Sequence, residues 1–355
     1  MTETKRQMKV PKIKQTAVIG AGSWGTALAK LLGDKGEKVF LWGHQADHVA
    51  ALRRDRENRK YLSGARLPDA VEPTDDLEVI QGCQCVLMVV PSHGFREVFS
   101  RLAPRLADKT LLVSAVKGIE IGTRHTMTQV MADEIARLGI EKKLYLGVLS
   151  GPSFAEEVAA GQPTAVTVAF REQEAARAVQ HLLSTSFFRA YSSTDVIGLE
   201  ISASMKNVIA IAAGIADGLG YGLNTRAALI TRGLAEITRL GVRLGAHPLT
   251  FSGLGGLGDL VLTCTGSLSR NRTVGLKLGQ GKSLEQALAE MTMVAEGVKT
   301  TKSCYNLARE LGVEMPILEQ TYQVLYEGKD CKQAVEELFS RSLKEEIIYS
   351  FSHSE

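Results

Sequence analysis

The glycine pattern Gly20-Ala-Gly-Ser-Trp-Gly25 constrains the fold more than any other feature of the sequence. It follows an apolar run at residues 16–19, opens a stretch of helical periodicity at residues 24–32, and leads to a second apolar run at residues 39–42. Glycines at this spacing allow a tight turn, close approach of the backbone to a pyrophosphate, and close packing of the helix on the strand. Residues 15–44 are therefore predicted to form a βαβ unit that binds a dinucleotide at the start of its helix.

The residue after the second predicted strand bears on which dinucleotide binds. An Asp or Glu there would hold the ribose 2′-hydroxyl of NAD(H), but the sequence reads Gly43-His44-Gln45. Without a carboxylate a 2′-phosphate is not repelled, and His44 could contact it, with Arg53 or Arg54 nearby. The alternative is that His44 is a loop residue on the surface. Both NADP(H) and NAD(H) are therefore allowed as cofactors.

Apolar runs of strand length recur through the first half of the chain, and each ends near a Gly, Pro or Ser. Three of them cover residues 85–90, 110–115 and 144–149, and two more, at 164–169 and 187–191, flank a helical stretch. Their apolarity is continuous rather than alternating, which is typical of strands covered on both faces. The pattern predicts an α/β, Rossmann-like domain with a mostly parallel sheet.

The pattern of apolar residues changes near residue 194. Strand-like runs stop there, and long helical segments rich in Ala, Leu, Ile and Gly follow. These segments cover residues 200–216, 225–244 and 284–291. We therefore predict a flexible tail at residues 1–14, a dinucleotide-binding domain at 15–193, and an all-α substrate and catalytic domain at 194–355.

The bulk composition argues against several classes of protein. The net charge of +3 is too small to suggest a nucleic-acid partner, so basic clusters are expected to bind small anions. The five cysteines are odd in number and lack metal-ligand spacing, which predicts no metal site and a reducing, cytoplasmic location. No secretory signal is recognisable, and no run approaches the ~18 apolar residues of a membrane helix, so no membrane insertion is expected.

Two polar motifs come directly after predicted strands, at the sheet edge where α/β proteins bind ligands. Lys117, in Val116-Lys-Gly-Ile-Glu120, lies just past one strand. Ser153, in Ser150-Gly-Pro-Ser-Phe-Ala155, lies past another and opens a helix. Ser153 is therefore either a helix cap or a ligand contact, and the two roles are compatible.

Lys206 lies on a predicted helix among Met205, Val208 and Ile209. Burying an ammonium group is costly, so such a lysine is usually paired or has a lowered pKa, which suits a general acid or base. The alternative is a lysine whose stem is buried and whose ammonium reaches solvent. The helical pattern alone does not separate these two possibilities.

Two more polar groups stand in the second half of the chain. Asp259 lies between glycines and an apolar run, so we expect it to have a cationic or donor partner. The tetrapeptide Ser269-Arg-Asn-Arg272 suits a phosphate because it combines guanidinium forks with short hydroxyl and amide donors. A tetrapeptide of this kind is also typical of a solvated turn.

Together these segments resemble the NAD(P)-dependent glycerol-3-phosphate dehydrogenases of bacteria, and they occur in that family's order across most of the chain. The matching segments are Gly-Ala-Gly-Ser-Trp-Gly-Thr-Ala-Leu-Ala (20–29), Val-Lys-Gly-Ile-Glu (116–120), Leu-Ser-Gly-Pro-Ser-Phe-Ala (149–155), Lys-Asn-Val-Ile-Ala (206–210), Asn-Thr-Arg-Ala-Ala-Leu-Ile-Thr-Arg-Gly (224–233), Gly-Leu-Gly-Asp-Leu (256–260), Ser-Arg-Asn-Arg (269–272) and Val-Ala-Glu-Gly-Val (294–298).

The resemblance implies a reaction and a role for individual residues. The reaction is the interconversion of sn-glycerol 3-phosphate and dihydroxyacetone phosphate by hydride transfer with NAD(P)(H), which supplies glycerol 3-phosphate for phospholipid biosynthesis. The implied catalytic residues are Lys206, as proton donor and acceptor, with Lys117 and Asp259. The implied substrate contacts are Lys117, Gly151, Ser153, Lys206, Asp259, Ser269, Arg270 and Asn271. The implied cofactor contacts are Gly20, Gly22, Ser23, Trp24, Gly25, His44, Tyr61, Lys117, Ala155, Arg270, Val294 and Glu296.

Two departures from the family pattern affect the cofactor site. The family often has Asn-Pro-Pro-Tyr-Leu-Pro-Gly where this chain has Asn58-Arg-Lys-Tyr-Leu-Ser-Gly64, and it often has a basic pair where this chain has His44-Gln45. The chain is expected to act alone or as a homodimer on a small phosphorylated substrate. The alternative functions are another two-domain hydroxyacid dehydrogenase, or a non-catalytic sensor that binds NADP.

Overall fold

The computed structural model describes residues 10–291, 294–343 and 345–346. Most of the predicted N-terminal tail, residues 1–9, lies outside this range. The described part contains ten strands and fourteen α-helices. The strands are β1 (Gln15–Ile19), β2 (Lys38–Trp42), β3 (Glu57–Asn58), β4 (Leu62–Arg66), β5 (Val71–Thr74), β6 (Cys85–Met88), β7 (Leu111–Ser114), β8 (Tyr145–Ser150), β9 (Thr164–Phe170) and β10 (Phe188–Ser193).

The first half of the chain builds one sheet of eight strands in the order β10-β9-β8-β7-β6-β1-β2-β5. Neighbouring strands are parallel except at one place, where β9 runs antiparallel to β8. Since β10 is parallel to β9, these two strands run opposite to the other six. The predicted α/β fold with a mostly parallel sheet is confirmed, and every apolar run assigned to a strand lies in this sheet.

Helices cover both faces of the sheet, which explains why its strands are apolar throughout. The first group is α1 (Ser23–Asp34), α2 (Ala46–Asp55), α3 (Phe95–Leu102), α4 (Met127–Arg137), α5 (Ala155–Ala159) and α6 (Gln173–Leu183). Alternate residues of one strand enter different cores: Val18 packs with Leu28 and Leu31 of α1. Ala17 and Ile19 pack on the opposite face with Phe95 and Phe99 of α3.

The second half of the described chain is helical. Its helices are α7 (Val196–Gly218), α8 (Leu223–Arg243), α9 (Asp259–Thr265), α10 (Arg270–Gly279), α11 (Leu284–Ala289), α12 (Glu296–Leu311), α13 (Pro316–Tyr326) and α14 (Cys331–Phe339). The last strand of the sheet ends at Ser193 and α7 begins at Val196. Helix α7 is long and apolar enough to cross a membrane, but 83% of its most apolar window is buried inside the protein, as in a core helix.

The structure adds a short antiparallel hairpin, β3–β4, and an edge strand, β5, that the apolar pattern did not predict. The sequence of β5 is Val-Glu-Pro-Thr, which is neither continuously apolar nor free of proline. An edge strand tolerates Pro73 because one side of its backbone needs no partner strand. The helix predicted at residues 284–291 ends two residues early, at Ala289.

Candidate active site

A cavity of about 440 Å³ lies between the edge of the sheet and the helical half of the chain. Its walls come from the turns after β1, β2, β6, β7 and β8 on one side and from α7, α9, α10 and α12 on the other. The strand order reverses beside β1, where α/β proteins place ligands. Among the residues predicted for the site, all line this cavity except Gly151.

The turn after β1 has the shape that a pyrophosphate requires. Gly20 has a φ of +123°, and a Cβ atom there would lie 2.7 Å from the carbonyl oxygen of Val89. A Cβ at Gly25 would lie 1.9 Å from the carbonyl oxygen of Gly20, whereas Gly22 faces open space. Helix α1 begins without a side-chain cap, so its first N–H groups are left for a ligand. These features fit a dinucleotide.

Five residues line the cavity beyond the end of β2: Gly43, His44, Gln45, His48 and Tyr61. The rings of His48 and Tyr61 meet edge to face, with centroids 5.3 Å apart. Neither Arg53 nor Arg54, which the sequence suggested as neighbours of His44, lines the cavity. Both residues lie in the last turn of α2, where Arg53 donates from Nε to the carbonyl of Pro73 (2.8 Å) and Arg54 pairs with Asp55.

Three charged side chains meet in the wall of the cavity. Asp259, which is 1% exposed, accepts one hydrogen bond from Lys117 Nζ at 2.8 Å on Oδ2 and another from Lys206 Nζ on Oδ1. Lys206 is itself 5% exposed. The structure therefore brings together two lysines and one aspartate, and Lys206 is paired and buried rather than reaching solvent.

The pKa values of this group are shifted by burial and by one another. Burial lowers the pKa of Lys206 to about 7, opposed by the charge of Asp259 and reinforced by Lys117. Burial by itself raises the pKa of Asp259, but the two ammonium groups outweigh it and hold that pKa below its usual value. A lysine with a near-neutral pKa can act as acid and as base at physiological pH.

Neighbouring elements hold the three charges in place. Asp259 starts α9 directly after a π-helical turn at Leu254–Gly258, and Thr263, one turn later, accepts a bond from Lys206 Nζ at 2.8 Å. Gly151 does not line the cavity; its carbonyl accepts from Lys117 Nζ (3.3 Å) and from Ser153 Oγ (3.0 Å). Gly151 has a φ of +146° and a Cβ there would clash with Val166, so only glycine fits.

The start of α10 forms another wall of the cavity. Ser269 is the N-cap and accepts from the backbone N–H of Arg272 (3.3 Å), while Arg270 Nη1 donates to the carbonyl of Val294 (3.0 Å). Asn271 donates to Asn207 Oδ1 (2.9 Å) and accepts from the backbone N–H of Gly297 (2.9 Å). The arginine at position 272 points elsewhere, to Asp217. One guanidinium and a helix N-terminus therefore face the cavity.

Among the remaining predicted contacts, Glu296 joins the helical side of the cavity to the sheet side. Glu296 accepts from the backbone N–H of Ser92 (3.3 Å) and from its hydroxyl, which links α12 to the turn after β6. Ser23 and Trp24 lie in the first turn of α1, Ala155 begins α5, and Val294 precedes α12; all four line the cavity.

The sequence motifs did not assign a role to three polar residues that the structure places in contact with residues of the site. Asn207 donates to the carbonyl of Lys117 (3.1 Å), Thr263 holds Lys206, and Ser92 holds Glu296. A signal existed for two of them: Asn207 follows Lys206 on a buried helix, and Thr263 is four residues after Asp259. Ser92 carries no such signal, because its partner is distant in sequence.

Two family models match the chain in succession. Residues 15–176 match the NAD-dependent glycerol-3-phosphate dehydrogenase N-terminus, and residues 195–336 match the NAD-dependent glycerol-3-phosphate dehydrogenase C-terminus.

Relatives of known name and structure agree with these matches. The chain is 60% identical over 331 residues to the glycerol-3-phosphate dehydrogenase (NAD(P)+) of Desulfotalea psychrophila, covering 93% of this chain and 98% of the relative. It is 50% identical to the enzyme of the same name from Geobacillus kaustophilus, covering 94% and 97%. The crystal structure of glycerol-3-phosphate dehydrogenase from Coxiella burnetii superposes with a TM-score of 0.88 at 42% identity, covering 93% of this chain and 100% of that one. The chain therefore belongs to the NAD-dependent glycerol-3-phosphate dehydrogenase family.

Proposed function

We propose that this protein catalyses the reversible reduction of dihydroxyacetone phosphate to sn-glycerol 3-phosphate with NAD(P)H, and so supplies glycerol 3-phosphate for phospholipid biosynthesis. The observation that carries the proposal is the position of Lys206. Its buried ammonium group lines one continuous cavity with the glycine turn at residues 20–25 and with Arg270. A dinucleotide site, a proton donor and an anion site are therefore contiguous.

The cofactor would be held by both sides of the cavity. The N–H groups at the start of α1, around Gly22, would bind the pyrophosphate, and His44 and Tyr61 would contact the adenosine end. When bound, the nicotinamide ring supplies or accepts the hydride at carbon 2 of the substrate. Trp24, Ala155, Arg270, Val294 and Glu296 complete the proposed contacts.

Lys206 would move the proton. In the direction of reduction, its ammonium group gives a proton from Nζ to the oxygen at carbon 2, and in the direction of oxidation the neutral amine takes that proton back. Lys117 would stabilise negative charge on the same oxygen, since it shares Asp259 with Lys206. Asp259 keeps both lysines at the site and favours their charged forms.

The substrate phosphate would lie at the start of α10. Arg270, the hydroxyl of Ser269 and the backbone N–H groups of Arg270 and Asn271 are the donors on that wall. Binding the phosphate away from carbon 2 orients the reacting carbon without taking part in the reaction. Ser153 would line the substrate site directly, and Gly151 would act through its carbonyl on Lys117.

The test is a steady-state assay of NADH and NADPH oxidation with dihydroxyacetone phosphate, set against NAD+ and NADP+ reduction with a panel of 3-hydroxy and 2-hydroxy acids and 6-phosphogluconate. We expect turnover with dihydroxyacetone phosphate far above that with the panel. The Lys206→Ala variant should lose turnover while it still binds the reduced nucleotide. Turnover with a hydroxy acid alone, or near-normal kcat in Lys206→Ala, would contradict the proposal.

We also propose that residues 15–193 and 194–355 are the two structural units, and that the enzyme works in the cytoplasm as a homodimer. The five free cysteines support a reducing compartment, since four of them are buried and unpaired with one another. Exposed Leu223 and Leu249, at 74% and 73%, are side chains of the kind that a self-association surface covers. Light scattering at several concentrations measures the oligomeric state.

A further inference from the structure

Four side chains line the part of the cavity that would bind the ribose 2′ position, and we term them the ribose rim: His44, Gln45, His48 and Tyr61. None of them is acidic. The acids that line the cavity elsewhere are Glu156, Asp259 and Glu296, which come from α5, α9 and α12. Asp47, in the first turn of α2, is exposed and is not part of the cavity wall. Among the described residues that line the cavity, no carboxylate is therefore placed at the ribose rim to select a 2′-hydroxyl.

Five cationic side chains lie between residues 53 and 60, close to the ribose rim in sequence, and three of them pair with carboxylates. Arg53 pairs with Asp75, and Arg54 pairs with Asp55. Arg59 contacts Glu57 at 3.5 Å and Asp55 at 3.8 Å. Arg56 has no carboxylate partner among the described residues and donates from Nη2 to the carbonyl of Pro68. Lys60 also has no carboxylate partner among the residues that the structure describes.

The Lys60 ammonium group instead lies against the ribose rim. Its Nζ is 3.5 Å from Oε1 of Gln45 and 5.0 Å from the centre of the Tyr61 ring. A neutral amide and an aromatic ring position this charge without cancelling it. Gln45 is also the N-cap residue of α2 and makes no side-chain hydrogen bond to that helix, so its amide remains available to Lys60.

We propose that Lys60 is the cation that binds the 2′-phosphate of NADP(H), and that it makes the enzyme prefer NADP(H) over NAD(H). A phosphate dianion beside an uncompensated ammonium group is attracted, whereas the 2′-hydroxyl of NAD(H) at the same place is not. The difference in affinity between the two nucleotides should therefore fall when this side chain is removed. The inference rests on the proposed function only in requiring that the cavity binds a nicotinamide dinucleotide.

The test measures binding without turnover. The chain has two tryptophans, Trp24 and Trp42, and both line the cavity, so quenching of their fluorescence reports nucleotide binding directly. Wild type, Lys60→Gln and Lys60→Glu are titrated with NADPH and with NADH at low and high salt. Arg59→Gln is the matched control, because it removes the neighbouring charge that is already paired with Asp55 and Glu57.

We expect wild type to bind NADPH more tightly than NADH, with the preference weakened by salt. Lys60→Gln should weaken NADPH binding about fivefold and leave NADH binding within about twofold, since an exposed ion pair contributes up to roughly that factor. Lys60→Glu should weaken NADPH binding further, because it places a like charge beside the phosphate. Arg59→Gln should change neither affinity.

Several results would overturn the inference. An unchanged NADPH affinity in Lys60→Gln, an equal loss for both nucleotides, or an equal loss in Arg59→Gln would each remove Lys60 from the role. A wild type that binds NADH as well as or better than NADPH would also do so while the proposed function stands. A wild type that binds neither nucleotide would overturn the inference and the proposed function together.

Discussion

At the scale of single residues, the buried charges at the centre of the site do not balance. One carboxylate, that of Asp259, faces two ammonium groups, those of Lys117 and Lys206, in a buried place. Burying an ion is costly, so the less favourably placed lysine gives up its proton more easily. The pKa of Lys206 is accordingly lowered, whereas an isolated pair of one lysine and one aspartate would tend to keep both charges.

The pH dependence of the reaction should report Lys206. Reduction requires its ammonium form, so the rate of reduction should fall as pH rises through about 7, and the rate of oxidation should rise over the same range. Asp259→Asn removes the charge that favours the ammonium form, so both inflections should move to lower pH. The measurement is kcat/KM against pH in both directions, with the exposed-carboxylate variant Asp47→Asn as control. Inflections that stay in place in Asp259→Asn would refute the coupling.

Removal of the Arg270 side chain should affect substrate binding more than chemistry. The guanidinium faces the cavity and the neighbouring Arg272 does not, so one arginine is available for the phosphate. Arg270→Ala should raise the KM for dihydroxyacetone phosphate about 10- to 100-fold, as expected for loss of charged hydrogen bonds. The control is Lys277→Ala, which removes a cation from the same helix but outside the cavity. An unchanged KM in Arg270→Ala would mean that the phosphate binds elsewhere.

At the scale of elements, two buried glutamates each cap the start of another helix. Glu200 on α7 accepts from the backbone N–H of Thr128 at the start of α4 (2.8 Å). Glu236 on α8 accepts from the N–H groups of Ile317 (2.7 Å) and Leu318 (3.2 Å) at the start of α13. Burial raises the pKa of both carboxyl groups, to about 7 for Glu236. The contact of Glu200 joins the helix that carries Lys206 to the sheet half of the molecule.

These two caps should have different consequences for activity. Glu200→Gln and Glu236→Gln should each lower the free energy of unfolding by about 1–3 kcal/mol, because one buried N–H or hydroxyl donor loses its acceptor. Glu200→Gln alone should also lower kcat, since α7 positions Lys206, whereas α13 contributes no residue to the cavity. Denaturant unfolding and steady-state kinetics on both variants check this. Equal effects on kcat would show that the α7–α4 contact does not position Lys206.

At the scale of the whole molecule, the site exists only between its two halves. Lys117 and Ser92 come from turns of the sheet, and their partners Asp259 and Glu296 come from helices of the second half. The carbonyl of Lys117 also accepts a bond from Asn207 of α7. Each half of the molecule therefore positions side chains of the other half by hydrogen bonds across the cavity.

The contact between Ser92 and Glu296 should matter for binding of both nucleotides. Ser92→Ala removes the hydroxyl that donates to the Glu296 carboxylate but keeps the Cβ that packs against Gly118. We expect about tenfold weaker binding of NADH and NADPH alike, as for the loss of one charged hydrogen bond. Ser100→Ala, on α3 and bonded to Arg137 instead, is the control. An unchanged Kd for both nucleotides in Ser92→Ala would show that the contact does not support the cofactor site.

Local patterns in the sequence were sufficient to determine seven of the eight strands of the sheet, the phosphate turn and the change from α/β to helical structure. They were sufficient because the glycine spacing at residues 20–25 and the apolar periodicity depend only on neighbours along the chain. Short strands of mixed polarity, such as β5, were not predicted, because β5 is a strand only through its pairing with the neighbouring β2. The motif order also identified the lysines and the aspartate of the site.

Only the tertiary structure decided which charges meet. Asp259 is 142 residues from Lys117 and 53 from Lys206, and no spacing rule joins them. In the same way, packing turned Arg53 and Arg272 toward other partners and left Lys60 against the ribose rim. Ion pairing depends on distances of a few ångströms between elements that are far apart in sequence, so it follows from packing and not from local pattern.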